Sequence, residues 1–427
     1  MSTAPARSLR ERLVRSLGER AGPLRVVVEE ARRAGAKAYL VGGPVRDLLL
    51  GEPVGDLDLL VTTQLARIAR SSAKRLSARV VLRPRFLTAS IVGAGIQFDL
   101  SQARAETYPL PGALPQVRPA ELEQDFQRRD FSINALALPL DARSGRHLVD
   151  PCGGLADLAG RRVRVLHPGS FRDDPTRMLR AARYCARLRF RLSPETVHLL
   201  HEAIAEGALH TLSPERIWHE IEKLLDEADV ARAVAETERR GLFSAISPRW
   251  RIAADGRAAL RRLRRARRSA PWPEAALPAS QRACGLRVLL LESPARSRGQ
   301  VLDALGLRGR SAREVELDLR ALPRLRRALE RGPSPGKLDA LLATAGEPLL
   351  LLLYCAATAP AARGVKRYAT LLRRSPSPID GHVARTLGLE GPAIGMLLAA
   401  ARQRSLDGHS IDAAWLRRWL ARRRSIR

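Results

Sequence analysis

Residues 40–60 read LVGGPVRDLLLGEPVGDLDLL. An apolar run closes at Val41 and meets Gly42 and Gly43, and Pro44 then suits the first turn of a helix. Glycine lets backbone N–H groups come close to a ligand, and a helix N-terminus favours anions. Arg46 adds a cation about one turn later. Asp56 and Asp58 open a second apolar run. Alternate strand residues share a face, so the two carboxylates project side by side. They repel one another unless a cation lies between them. Oxygen donors of this kind suit magnesium, which also takes phosphate oxygens and water. Each motif alone reads as readily as a plain turn. Both fall within 17 residues, and together they set a phosphate cradle beside a metal site.

The flanking sequence sets this pair in a small mixed domain. Residues 1–35 read as one or two amphipathic helices. Residues 37–41, 58–62 and 79–82 read as short strands, and residues 90–100 as a hairpin turning near Gly93 and Gly95. Residues 129–138 begin polar and end apolar. Beyond about residue 165 the helical period dominates and strand-like alternation nearly vanishes. Residues 174–188, 213–225 and 229–240 are helices on this reading. Residues 254–280, ADGRAALRRLRRARRSAPWPEAALPAS, give a basic helix and then a proline-rich break. The remainder continues as helices without a convincing internal repeat.

The chain has 427 residues, with 74 Lys or Arg against 44 Asp or Glu, a formal net charge of +30. Such an excess points to a polyanionic partner. Only Lys37, Lys74, Lys223, Lys337 and Lys366 are lysines, so biased coding contributes to the arginine count. Residues 151–427 carry +23 of the net charge and residues 1–150 only +7. A chemical head is joined to a polyanion-binding body. An apolar content of 45% argues against wholesale disorder. The four cysteines are scattered without a CxxC pair, which disfavours a zinc ribbon or a disulfide scaffold. The eight histidines show no metal-ligand spacing and no His-Asp dipeptide. The first 20 residues lack the apolar core of a secretory signal. The longest apolar run, near residues 349–358, is too short to span a bilayer and reads as a buried helix. A cytoplasmic chain is expected.

The stretch 40–60 resembles the signature of the class II tRNA nucleotidyltransferase and bacterial poly(A) polymerase family. Later blocks resemble that family in order. They are DFQRRDFSINALAL at 125–138, FRDDPTRMLRAARYCARLRF at 171–190, LSPERIWHEIEKLL at 212–225, and GLEGPAIGMLLAAARQRSLDG within the tail. The likeness is firm over roughly residues 25–245 and looser beyond. It implies an α+β fold, with a nucleotidyltransferase palm of small mixed sheet and helices followed by all-helical neck, body and tail. The corresponding domains are an N-terminal helix at 1–24, a head or palm at 25–150, a neck at 151–240, and a tRNA-binding body and tail at 241–427.

The resemblance also implies chemistry: transfer of CMP or AMP from CTP or ATP to the tRNA 3′ end. Asp56 and Asp58 would hold magnesium, and Asp99 is the matching third carboxylate. Gly42, Gly43 and Arg46 would cradle the triphosphate. In the second block Arg129 would meet phosphate oxygens, Asp130 a ribose hydroxyl, and Asn134 the same nucleotide. In the third block Asp174 and Pro175 read as a helix start. Cytosine and adenine both present an amino donor beside a ring acceptor, and uracil and guanine present the reverse. A carboxylate acceptor beside an arginine donor would accept C and A only. Asp174 and Arg177, three apart, can sit together that way. Arg180 and Arg183 would add packing, phosphate or nucleotide contacts. In the basic helix, Arg261, Arg262, Arg264 and Arg265 would contact the tRNA backbone, with strong salt dependence.

Two alternatives stand beside this reading. A poly(A) polymerase usually carries a Gly-Arg/Lys-Arg/Lys-Phe-type stretch soon after the carboxylate strand, and IARSSAKRLSARVVL at 68–82 lacks it. A catalytically inactive RNA-binding relative would be free to lose Asp56, Asp58, Arg129, Asp174 and Arg177, all of which are present.

Overall fold

The computed structural model describes residues 6–93, 96–252 and 254–424. The chain divides into two compact units, residues 1–216 and 217–427.

The first unit is built on a six-stranded sheet. Its strands are β1 (Ala38–Val41), β2 (Leu57–Val61), β3 (Arg79–Arg83), β4 (Thr88–Gly93), β5 (Ile96–Gln102) and, after a separate pair, β8 (Ala137–Pro139). Their order is β3-β4-β5-β2-β1-β8. The β2–β5 pairing is parallel and the other pairings are antiparallel. The separate pair is a ribbon of β6 (Arg104–Thr107) and β7 (Gln116–Pro119). β4 and β5 form the expected hairpin, with Gly93 opposite Ile96, and its expected turn at Gly95 lies outside the described residues.

Continuous apolar runs explain the core, because β1 and most of β2 are buried on both faces. Leu40, Leu59, Leu60, Val61, Phe98 and Leu100 are all 1% exposed or less. The helices Ala21–Arg33 and Leu65–Arg75 pack with this sheet region, each through one buried apolar stripe. β3 is one of the two edge strands and presents Arg79 and Arg83 there, which guards against edge-to-edge pairing. After β8 in the chain, the named strands among the described residues are a two-residue pair, Arg162–Val163 with Arg191–Leu192.

The second unit is helical throughout its described residues. The leucine-rich run folds as the helix Glu347–Ala356, with Leu349 to Leu353 all buried. Among the described residues no helix is long and apolar enough to cross a membrane. All four cysteines are free.

Candidate active site

The turn between β1 and its following helix forms as the glycines require. Gly42 adopts φ +72° and ψ −132°, a conformation that favours glycine, and the helix Gly43–Leu50 begins with Pro44 in its first turn. A Cβ on Gly42 would lie 3.3 Å from Arg129 Nη1, so the guanidinium rests against the turn.

The carboxylates gather one strand away. Asp58 and Asp99 are direct partners in the parallel register of β2 and β5. Asp56 lies just before β2 and is exposed. Asp58 is half-buried, and burial, aided by the charges on Asp99 and Asp56, pushes its carboxyl up to about 6; Arg129 acts the other way. Asp99 accepts a 2.6 Å hydrogen bond from Ser90, whose oxygen accepts one from Arg83 at 2.9 Å. Among the described residues no three His, Cys, Asp or Glu side chains form a ready-made metal cluster. The donor set still fits a hard cation. The charges of Asp99 and Asp56 bear on Asp58, and a divalent ion would relieve that repulsion.

Arg129 is held by a residue the sequence reading passed over. Asp125 is fully buried and accepts from Arg129 at 2.8 Å and from Arg128 at 2.6 Å. Its spacing of three and four residues before those arginines was the available signal. Arg128 also reaches Glu106 at 2.9 Å.

Several expected ligand contacts are occupied by internal partners. Arg46 is 2% exposed and donates to Asp47 and to Asn134 Oδ1, the latter at 2.7 Å. Asn134 donates to Asp130, and Arg180 donates to the other Asp130 oxygen. Burial would raise the Asp130 carboxyl, but Arg180 and the Asn134 amide outweigh it and hold it down at about 2. Tyr184 is a hub that periodicity did not single out. The guanidinium groups of Arg46, Arg180 and Arg183 lie 5.2, 5.9 and 5.3 Å from its ring centroid.

The third block differs from expectation in detail. Pro175 takes the N-cap position of the helix Thr176–Leu188, and Asp174 ends the short helix before it. Asp174 nevertheless accepts from Thr176 N at 3.1 Å. The side chains of Asp174 and Arg177 do not pair; only the Arg177 backbone N–H donates to the Asp174 carbonyl, at 3.0 Å. Arg177 is 4% exposed and donates to Ser170 Oγ at 2.7 Å and to the Arg128 carbonyl at 2.6 Å. Asp174 instead meets Arg216 at 2.7 Å, and Arg216 also donates to the Gly112 carbonyl. Buried carbonyls and hydroxyls draw Arg177 inward because an unpaired buried guanidinium is costly. In the basic helix, Arg262 donates to the Cys355 and Ala357 carbonyls, and Arg264 pairs with Asp229 at 3.0 Å. Arg261 and Arg265 are exposed.

A glycine-opened helix beside a carboxylate-bearing strand is the architecture of a nucleotidyltransferase head. Residues 38–164 match the Poly A polymerase head domain, and residues 189–252 match the family described as the probable RNA and SrmB-binding site of polymerase A. An A-adding tRNA nucleotidyltransferase of Halalkalibacterium halodurans is 39% identical over 237 residues, 55% of this chain and 53% of that protein. A CC-adding tRNA nucleotidyltransferase of Deinococcus radiodurans is 40% identical over 200 residues, 46% of this chain and 52% of that protein. The chain thus spans about half the length of these two curated relatives. The solved apo form II of a CCA-adding enzyme superimposes with a TM-score of 0.82 at 25% identity, covering 99% of this chain and all of that one. The chain thus carries a Poly A polymerase head domain and is similar, over about half its length, to tRNA nucleotidyltransferases.

Proposed function

We propose that the chain transfers CMP or AMP from CTP or ATP to the 3′ end of tRNA, building or repairing the CCA terminus and releasing pyrophosphate. The observation that carries this reading is the register that pairs Asp58 with Asp99, one strand from the Gly42 turn. Magnesium held by Asp56 and Asp58, with Asp99 as third carboxylate, would activate the primer hydroxyl and stabilise the leaving pyrophosphate. The Gly42–Gly43 turn would approach the phosphates through its backbone, with Arg129 beside it. Asp174 would accept from the amino group of C or A. Arg177 would donate to the ring nitrogen on leaving Ser170. On this reading the enzyme works in the cytoplasm, and the three boundaries at 24/25, 150/151 and 240/241 separate an N-terminal helix, the palm, the neck, and the body and tail.

A poly(A) polymerase is the second reading, favoured by the description of the matched head domain. One assay separates them. Three tRNA primers, ending before CCA, after C and after CC, are offered CTP, ATP or both with magnesium. Completion of all three marks a CCA-adding enzyme. Extension of only the first two with CTP marks CC addition, and of only the third with ATP marks A addition. A long adenylate ladder on unrelated RNA overturns the tRNA reading. No incorporation on any RNA points to an inactive RNA-binding relative.

A further inference from the structure

Asp99 is held from the side of the sheet opposite Asp58. In the register of β2, β5 and β4, Asp58 faces Asp99 and Asp99 faces Ser90. The three side chains therefore form one row across three strands. Val81 of β3 continues the row, and Arg83, two residues further along β3, shares its face. None of the blocks that resemble the nucleotidyltransferases contains Ser90 or Arg83.

The row ends in a directed chain of hydrogen bonds. Arg83 Nη1 donates to Ser90 Oγ at 2.9 Å, and Ser90 Oγ donates to Asp99 Oδ1 at 2.6 Å. Chemistry fixes that direction. A guanidinium offers only donors and stays charged, so the serine oxygen must accept from it. The single hydroxyl proton is then left for the carboxylate. A hydroxyl polarised by a cation is a better donor than a lone one. Ser90 is buried, so water competes little for it. Asp99 Oδ2 has no hydrogen-bond or ion-pair partner among the described residues. Without the hydroxyl, Asp99 would be an exposed side chain facing a second carboxylate, and repulsion would turn the two apart into water.

We propose that Ser90 and Arg83 are positioning residues for the transfer: they fix Asp99 by Oδ1 and leave Oδ2 to share a divalent cation with Asp58. Neither residue meets the ion. The inference rests on the metal role that the proposed function gives these carboxylates, and it adds two residues of the β3–β4 hairpin to that site. A hydrogen-bonded partner behind a metal ligand fixes the orientation of that ligand, and its loss costs about 10- to 100-fold in metal affinity or activity. Arg79 supplies the comparison. It lies on the same face of β3 and has no hydrogen-bond or ion-pair partner among the described residues.

The test uses the full chain and Mn²⁺ binding read by electron paramagnetic resonance, without nucleotide or RNA. Ser90→Ala should bind Mn²⁺ about tenfold or more weakly. Ser90→Thr keeps the hydroxyl and should bind close to the parent. Arg83→Ala should weaken binding in the same direction but less, because the hydroxyl remains. It changes an exposed side chain and so carries the test should Ser90→Ala fold poorly. Arg79→Ala should match the parent. Parent-like affinity in both Ser90→Ala and Arg83→Ala overturns the brace. So does a Ser90→Thr as weak as Ser90→Ala, or an Arg79→Ala as weak as Arg83→Ala. Asp58→Ala separates this inference from the reading beneath it. If Asp58→Ala binds Mn²⁺ as the parent does, the metal site falls and the brace falls with it. If Asp58→Ala loses the ion while Ser90→Ala and Arg83→Ala keep it, the brace alone falls. A chain whose Mn²⁺ affinity depends on Ser90 but that transfers no nucleotide supports the brace and sinks only the transfer reading.

Discussion

Asp58 and Asp99 are direct neighbours across the one parallel pairing of the sheet, so two carboxylates distant in sequence share one face of β2 and β5. That adjacency, after burial, is the second cause of the raised Asp58 pKa.

The first prediction concerns pH. The folded chain keeps a proton on Asp58 up to about 6, whereas an unfolded aspartate releases it near about 4. Ionising Asp58 therefore costs stability as pH rises through that window, and a divalent ion that needs the ionised form gains affinity over the same window. Mn²⁺ binding followed by electron paramagnetic resonance should strengthen from pH 5 to 7 and then level off. In Asp99→Asn the midpoint should move to lower pH. Affinity that ignores pH over this range would sink the assignment.

Replacing Asp56 or Asp58 with Ala should abolish transfer and leave tRNA affinity within about twofold, since neither residue lies in the basic helical unit. Single-turnover extension and filter binding on the same preparations make the comparison. Turnover near that of the parent would contradict the metal assignment.

Asp125 anchors Arg128 and Arg129 from a fully buried position. Asp125→Ala leaves the largely buried Arg129 without its carboxylate and Arg128 with Glu106 alone, and breaking a buried pair costs about 3 to 5 kcal/mol. Urea unfolding should show it as a lower midpoint. The apparent affinity for ATP should also fall, because Arg129 loses its brace beside Gly42. A fall in neither quantity would show that the buried pair positions nothing.

Arg177→Ala should blur the choice of C and A over U and G more than it weakens RNA binding. Arg216→Ala should have a second effect, because Arg216 holds both the Asp174 carboxylate and the Gly112 carbonyl. Misincorporation of UTP and GTP, measured for both variants, tests the templating role. Unchanged discrimination in Arg177→Ala would remove Arg177 from it.

The sequence carried the fold class and the order of elements because those depend on local period and on turn chemistry. Gly42 had to break from β1, and Pro44 had to start a helix, whatever lay around them. The strand that bears Asp58 was legible from its apolar run, and the basic helix from its arginines. What a charged side chain touches is not local. Arg46 turned inward to Asn134, 88 residues away, and Arg180 to Asp130, 50 residues away. Arg177 and Asp174 sit three apart yet found different partners, because packing offered Arg177 the Ser170 hydroxyl and the Arg128 carbonyl and offered Asp174 the Arg216 guanidinium. Ser90 and Arg216 gained their places only from tertiary contacts of this kind, as Tyr184 gained Arg46. Sequence determined which elements form and where the carboxylates stand along them. Tertiary structure alone decided which arginines neutralise which acids, since a buried charge must take whatever partner the packed chain brings within reach.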